Sequence, residues 1–252
     1  MSAEPKPAQS VLSDNHNKDD QNGYNNGYHG TGGSISRFIT PGGNPQDSSQ
    51  PALPVFHRKL GNPAPLGLLS FAATTFVLSM FNVSARGITQ PNVILGMALF
   101  YGGLGQIIVG IEEFVAGNTF GATAFASYGG FWLSFGTLYI PQFQVTASYT
   151  DATELESALG IYLCSWGILT FIFLIAALRS SVALVLVFFF LDITFWLLAA
   201  SFFGTHPMVT KAGGAFGIIT AACAFYTGMA GLLTKDTSYF LLPVGDLANR
   251  YK

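Results

Sequence analysis

Apolar residues are concentrated in six long runs, the first of which begins near residue 64. The runs extend approximately over residues 64–83, 93–115, 119–140, 157–178, 182–203 and 212–233. Each run is as long as the roughly 20 apolar residues that an α-helix needs to cross the hydrocarbon core of a bilayer. The pattern therefore predicts an all-α membrane protein with six transmembrane helices.

The segments between the runs carry turn-forming residues, as in "SARGITQPN" and "PQFQVTASYTDATE". The breaks after the second and fourth runs are only "AGN" and "RSS". Because such short connections join antiparallel neighbours, we expect two helical hairpins at these places.

The chain before the first run has a different character. It is rich in Asn, Gly, Ser, Asp, Gln and Pro, as in "NHNKDDQNGYNNGYHGTGG", and it is too polar for a cleaved signal peptide. Such a segment buries too little apolar area to offset the entropy of ordering. We predict a disordered polar tail over residues 1–58, a six-helix membrane domain over 59–234 and a C-terminal tail over 235–252.

The positive charges indicate how the helices are oriented. Cytoplasmic loops of membrane proteins carry an excess of Lys and Arg. With the N-terminus in the cytoplasm, the outer face holds only Arg86 and Lys211, and the inner face holds Arg58, Lys59, Arg179, Lys235, Arg250 and Lys252. The distribution therefore predicts cytoplasmic N- and C-termini.

Composition supports the membrane assignment and narrows the function. Only 10% of the residues are charged, the mean hydropathy is +0.44, and Cys164 and Cys223 lie within apolar runs. A soluble domain carries about 25% charged residues. With a net charge of −2, no basic footprint for nucleic acid is expected. We find no metal-ligand cluster and no nucleophile–base pair. We therefore expect no metal, no cofactor and no catalytic residue, and an integral-membrane enzyme is the least favoured class.

The start of the first run has two interpretations. Asn62, Pro63 and Pro65 stand directly before or within it, which suits a capped, rigid helix start. Alternatively, if Pro65 is the first helical residue, the N–H groups of Leu66 and Gly67 remain unpaired. They would then lie at the positive end of the helix dipole and bind an anion.

Polar residues inside the runs are also open to more than one interpretation. Ser70 and Thr74 share one face of a helix, where their hydroxyls bond either a carboxylate or their own backbone. Gln106 lies in the middle of the second run, where an amide must find a partner or face water. Asp192 lies near the middle of the fifth run at a cost of roughly 2.5–3.5 kcal/mol, so we expect it to face protein or water.

Four motifs carry a family resemblance: "NPAPLGLLSFAATT", "FYGGLGQIIVGIEEF", "GNTFGATAFASYGGFW" and "LPVGD". Together they resemble the acetate uptake transporter family, which includes bacterial succinate–acetate permeases and fungal acetate and ammonia-export-associated membrane proteins. The resemblance extends over about residues 60–246, and the long polar N-terminal extension is similar to that of the fungal members.

The resemblance implies plasma-membrane transport of acetate and related small monocarboxylates, with succinate as a further substrate. The family mechanism is either proton-coupled symport or channel-like passage of the anion. The implied partners are the monocarboxylate, protons, the lipid bilayer and other copies of the chain, which form a hexamer with a separate path in each subunit.

The resemblance also assigns residues to the path. It implies an apolar constriction of Phe71, Tyr128 and Leu191, and a small residue, Ala224, linked to substrate size. The residues expected to bind substrate or give it access to the path are Asn62, Leu66, Gly67, Thr74 and Gln106.

Glu113 is the candidate for a proton-linked role, since the family match selects it over its neighbour Glu112. Adjacent positions diverge by about 100° around a helix, so only one of the two faces the bundle. The alternative is that Glu113 holds a helix end or lies among lipid headgroups.

Two other functions remain open. A membrane sensor would bind acetate without net flux and signal through the N-terminal tail, where Ser34, Ser36 and Thr40 are available for phosphorylation. A transporter for ammonia or ammonium would favour an apolar pore with a mouth that attracts cations.

Overall fold

The computed structural model describes residues 61–204 and 206–248. Over these residues the chain forms six long helices and a single isolated β-bridge between Ser181 and Asp246. The predicted tail over residues 1–58 lies outside the described residues. The helices are α1 (Ala64–Asn82), α2 (Ile94–Val115), α3 (Thr119–Thr137), α4 (Ala152–Ala177), α5 (Val182–Gly204) and α6 (Pro207–Leu232).

Five of these helices are long and apolar enough to cross a membrane: α1, α2, α4, α5 and α6. Helix α3 has 19 residues, as α1 has, but its sequence is richer in Gly, Ser and Thr. The predicted all-helical membrane fold is therefore confirmed in outline. That α3 also crosses the membrane stays a prediction.

Two helices begin earlier than the apolar pattern predicts, because residues before each apolar run favour a helix start. Helix α4 begins at Ala152 instead of residue 157, since Asp151 Oδ1 accepts hydrogen bonds from the Thr153 N–H and hydroxyl. The same two bonds hold the pKa of Asp151 below its usual range. Helix α6 begins at Pro207 instead of residue 212, and proline suits a first helical position.

The helices pack as a ring. Helix α1 lies along α6, α6 along α5 and α5 along α4, while α2 packs on α3 and also on α1. Backbone contact is sparsest between α3 and α4, and side chains close that edge. Tyr128 and Thr170 share a hydrogen bond of 2.9 Å there, and Ser134 and Tyr162 share one of 2.8 Å. The inside of the ring is therefore available for a path.

The middle of α2 departs from regular α-helix. Residues Met97–Gly105 form a π-helical segment, which sequence reasoning did not anticipate. Such segments are rare and occur frequently at functional sites. Gly102 and Gly103 fit this segment against α1 and α3, because a Cβ on Gly102 would meet Thr74 and Trp132 within 3.0 Å. Gln106 directly follows the segment and is the first residue of regular α-helix after it.

Candidate functional site

Two cavities lie one after the other inside the ring of helices. The first cavity has a volume of about 350 Å³ and is lined by the N-terminal ends of α1, α3 and α5 and the C-terminal end of α6. The second cavity has a volume of about 230 Å³ and is lined by the other ends of α1 and α3 together with α4 and α5. Phe71 and Leu191 line both cavities, so these two side chains form the wall between them.

The three residues assigned to the constriction lie together at this wall. Phe71, Tyr128 and Leu191 are 5%, 4% and 4% exposed, and all three line the first cavity. The Phe71 and Tyr128 rings have centroids 5.6 Å apart. Tyr128 is held in place from α4 by its hydrogen bond with Thr170. The fold thus brings residues from α1, α3 and α5 to one apolar barrier.

Three further aromatic rings lie around Tyr128, those of Trp166, Phe173 and Phe188, and sequence reasoning missed them. The ring centroids of Phe173 and Phe188 lie 5.7 and 6.3 Å from that of Tyr128. Both side chains are buried, and Phe188 lines the first cavity. No sequence signal distinguishes them from the many other phenylalanines of the apolar runs.

Gln106 supplies a polar atom to the first cavity. Its side chain is fully buried, and Nε2 donates a 2.9 Å hydrogen bond to the Gly102 carbonyl. Because only the amide nitrogen can donate to a carbonyl, this bond is consistent with Nε2 facing Gly102 and Oε1 facing away from it. Gln106 Oε1 is left buried with no hydrogen-bond partner among residues 61–204 and 206–248. Gln106 thus lines the first cavity and carries a buried acceptor that has no partner in the described part of the chain.

Glu113 is tied to the beginning of α3 next to the first cavity. It is 3% exposed, and its Oε2 accepts a 2.7 Å hydrogen bond from Asn118 Nδ2. Asn118 lines the first cavity and caps α3 by accepting the Gly121 N–H at 3.0 Å. Glu113 Oε1 is buried and finds no partner in the described part of the chain. Glu113 thus holds a helix end and keeps one oxygen free, while Glu112 is exposed.

The second cavity contains two polar groups that sequence reasoning did not select. Thr75 and Trp132 line it, and they are 6% and 2% exposed. The Thr75 hydroxyl and the Trp132 indole N–H are both buried without a hydrogen-bond partner in the described ranges. Trp132 belongs to the quoted motif "SYGGFW", which was the one available signal for it. Two residues that line the second cavity thus carry buried groups able to donate hydrogen bonds and lacking partners in the described ranges.

Thr74, the predicted binding residue, lies elsewhere. Its hydroxyl donates to the Ser70 carbonyl at 2.8 Å, and the Ser70 hydroxyl donates to the Gly67 carbonyl at 2.9 Å. Thr74 lines neither cavity and lies against α2 near Gly102. Both hydroxyls thus bond to the backbone of their own helix. The neighbouring Thr75, and not Thr74, lines a cavity.

The start of α1 is a rigid, fully paired helix end. Asn62 Oδ1 accepts the Ala64 N–H at 3.2 Å, and the Leu66 and Gly67 N–H groups donate to the Pro63 carbonyl at 3.1 and 3.4 Å. Pro65 has no N–H to satisfy. The prediction that the Leu66 and Gly67 amides are unpaired is therefore wrong, because Pro63 takes the cap position and accepts from both.

The remaining predicted residues lie near the cavities without lining them. Asn62 and Leu66 share a separate groove with Glu112, and Gly67 packs against the Phe125 ring. Ala224 is fully buried in the apolar cluster that contains Phe71 and Leu191, but it lines neither cavity.

Asp192 follows Leu191 directly and is partly buried. Its Oδ1 is buried and unpaired within the described residues. The side chain is thus adjacent to the barrier but outside the walls of both cavities.

A protein-family model described as the GPR1/FUN34/yaaH family matches residues 44–249. The chain is 52% identical over 184 residues to Accumulation of dyads protein 2 of Saccharomyces cerevisiae, which covers 73% of this chain and 65% of that protein. It is 50% identical over 194 residues to Ammonia transport outward protein 2 of the same yeast, covering 75% of this chain and 69% of that one.

A third relative and one solved structure carry acetate in their names. Acetate permease A of Emericella nidulans is 45% identical over 198 residues, covering 74% of this chain and 66% of the relative. The matches therefore span about two thirds of the length of these three relatives. The structure of the bacterial acetate channel SatP superposes with a TM-score of 0.67 at 38% identity, covering 74% of this chain and all of that one.

Proposed function

The chain belongs to the GPR1/FUN34/yaaH family, and on that premise we propose that it carries acetate and related small monocarboxylates across a membrane. The observation that carries the proposal is the pair of cavities that share Phe71 and Leu191 in their walls, with Tyr128 beside Phe71 in the first cavity. A narrow apolar barrier of this kind passes small solutes and excludes larger, strongly hydrated ones.

The polar atoms of the second cavity suit a carboxylate. A carboxylate accepts hydrogen bonds only, and the Thr75 hydroxyl and Trp132 N–H are donors without partners in the described ranges. Leaving a buried donor unsatisfied costs about 1–3 kcal/mol. A bound anion removes that cost, which is why these two groups favour a carboxylate as the solute.

The first cavity suits the protonated form of the acid. Gln106 Oε1 accepts hydrogen bonds and donates none, so it pairs with the O–H of a carboxylic acid. An apolar barrier also costs a neutral acid far less than a bare anion. We therefore favour proton-linked passage, with Glu113, whose Oε1 is free within the described part of the chain, as the group that holds the proton.

The arrangement in the membrane follows from the charge distribution and the family. We propose that all six helices cross the plasma membrane with both termini in the cytoplasm, so that the first cavity faces the cytoplasm. The outer faces of the helices carry many exposed apolar side chains, such as Phe100, Ile111 and Ile161. These surfaces suit lipid and further copies of the chain in a hexamer.

The test is uptake of radiolabelled acetate into liposomes that contain the purified protein, with and without an inward proton gradient. Accumulation above equilibrium only with the gradient is the expected result. Flux that merely equilibrates and ignores the gradient would indicate a channel. In Glu113→Gln, we expect equilibration without accumulation, whereas the exposed neighbour in Glu112→Gln should leave accumulation intact.

Ammonium export is the second candidate, since one relative at 50% identity is named for ammonia transport. The same liposomes, loaded with radiolabelled methylammonium, separate the two candidates. Release of methylammonium in the absence of acetate flux would favour ammonium export. Binding of acetate with no flux of either solute would favour a sensor.

A further inference from the structure

The motif "PVGDL", residues 243–247, is not a free tail. We call these residues the C-terminal strap. The Val182 and Ala183 N–H groups at the beginning of α5 donate to the carbonyls of Gly245 and Val244 at 2.8 and 3.0 Å. The Leu247 N–H donates back to the Ser180 carbonyl at 3.0 Å. Because the first N–H groups of a helix lack partners within the helix, the strap caps α5 together with the Ser181 hydroxyl, which accepts the Leu184 N–H at 3.3 Å.

Two side-chain features fix the strap in this position. The Tyr226 hydroxyl of α6 donates to the Pro243 carbonyl at 2.6 Å, which ties the strap to a second helix. Gly245 has a φ of +70°, and a Cβ there would lie 2.9 Å from Val182 Cγ2. A side chain at this position therefore meets both backbone strain and a clash.

The strap also forms part of the wall of the first cavity. Val244 lines the first cavity together with Ser181 and Leu184. Val244 also lines a separate apolar groove of about 600 Å³, whose other lining residues include Leu186 and Cys223. A residue that lines two spaces lies between them. Removing the strap from α5 would therefore join the first cavity to the groove.

We propose that the C-terminal strap is the gate of the first cavity, and that it must lift from the beginning of α5 for substrate to pass. The strap is held by a few backbone hydrogen bonds and one tyrosine, whereas the helices are held along their whole lengths. Segments with few contacts open at far lower free energy than the packed core. The strap is thus the part of this wall that moves most easily. The proposal rests on the transport function proposed above.

A reversible cross-link tests whether the strap must move. Ser181 and Asp246 are opposite each other in an antiparallel bridge, where Cβ atoms lie about 4.5–5.5 Å apart. That spacing is close to the range of a disulfide. The double variant Ser181→Cys with Asp246→Cys is made in a background where Cys164 and Cys223 are replaced by alanine. Acetate uptake is then measured in liposomes after oxidation and again after reduction.

We expect oxidation to lower acetate uptake at least tenfold and reduction to restore it, with no effect of oxidant on either single-cysteine variant. Equal uptake by the cross-linked and reduced proteins would overturn the gate. If thiol labelling shows that the two cysteines never pair, the strap position itself is wrong. Absence of uptake even in the reduced protein would instead count against the transport function.

A second measurement tests the gate without transport. Thr227 lines the first cavity, so Thr227→Cys, made in the same background without Cys164 and Cys223, reports how fast a water-soluble maleimide reaches it. Combined with Gly245→Ala, which displaces the strap, the labelling rate should rise at least fivefold. Gly87→Ala is the matched control, because Gly87 has a similar φ of +77° but no atom within 4 Å of its Cβ position. An unchanged rate in Gly245→Ala would contradict the gate.

Discussion

The two cavities have similar apolar walls and opposite polar atoms. Both are lined by Phe71 and Leu191. Within the described residues, the first cavity has an unpaired acceptor in Gln106 Oε1, and the second has unpaired donors in Thr75 and Trp132. A solute that moves from one to the other therefore meets a different hydrogen-bonding partner on each side of the same barrier.

This difference explains how a simple barrier can be linked to protons. Under the proposed function, the Thr75 and Trp132 donors suit a carboxylate, and the Gln106 acceptor suits a carboxylic acid. With proton-linked passage as proposed, we expect the proton to be gained or lost near the barrier. Glu113 and Asn118 lie next to the first cavity, where a proton is expected to be held.

The largest effect is expected from a substitution that removes the Thr75 donor at the second cavity. Thr75→Val keeps the shape of the side chain and deletes the hydroxyl, and a hydrogen bond to a charged group is worth about 1.5–3 kcal/mol. We expect acetate to bind about 10- to 100-fold more weakly, measured as the concentration that half-saturates uptake. Trp132→Phe should act in the same direction.

Thr74→Val is the matched control for the donor experiment. The Thr74 hydroxyl is bonded to its own helix and lines neither cavity, so its loss should leave acetate affinity within about twofold. Equal losses of affinity in Thr74→Val and Thr75→Val would show that the second cavity does not bind the anion through its unpaired donors.

Removing the Phe71 side chain should open the barrier and join the two cavities. Phe71→Ala removes a ring that both cavities share. We expect the ratio of succinate to acetate uptake to rise about tenfold, which corresponds to about 1.4 kcal/mol in relative barrier height. Phe76→Ala, at an exposed position on the same helix, is the control. An unchanged ratio in a folded Phe71→Ala protein would place the barrier elsewhere.

A smaller effect is expected from removing the acceptor of the first cavity. Gln106→Leu deletes an oxygen whose neutral hydrogen bond is worth about 0.5–1.5 kcal/mol. Acetate uptake driven by a proton gradient should fall about fivefold. The thermal stability should change little, because the loss of the Nε2 bond to the Gly102 carbonyl opposes the gain from removing the buried unsatisfied oxygen. Unchanged uptake would mean that the first cavity does not distinguish the acid from its anion.

The smallest effect on transport is expected at the start of α1. Asn62→Ala removes the side chain that accepts the Ala64 N–H and should lower stability by about 1 kcal/mol. Uptake per folded molecule should not change, because the amides at this end are paired. Asn62→Asp keeps an acceptor for the Ala64 N–H and should restore stability. A loss of uptake in both variants would show that this helix end takes part in transport.

The sequence predicted the helices well and their ends less well. Apolar runs predict where helices lie, since each run reflects only its own residues and a bilayer of known thickness. The earlier starts of α4 and α6 depend on Asp151 and Pro207, whose effects on a helix end are local but were not weighed against the apolar pattern. The π-helical segment of α2 depends on contacts with α1 and α3, which no local pattern shows.

For the site, family motifs were sufficient for the barrier and insufficient for the cavities. Phe71, Tyr128 and Leu191 were named from motifs and lie together at the barrier, although their role in transport stays a prediction. Thr74 was preferred to Thr75 because it shares a helix face with Ser70. The strap was visible only as the quoted motif "LPVGD".

The sequence by itself determined a six-helix chain, a capped and proline-stiffened start of α1, and the residue types available for a path. Only the tertiary structure decided which polar atoms have no partner, which residues line each cavity, and that the C-terminal strap caps α5. The reason is physical. Helix formation and capping depend on residues within a few positions of one another, whereas a cavity and its unpaired atoms exist only after all the surrounding helices have packed.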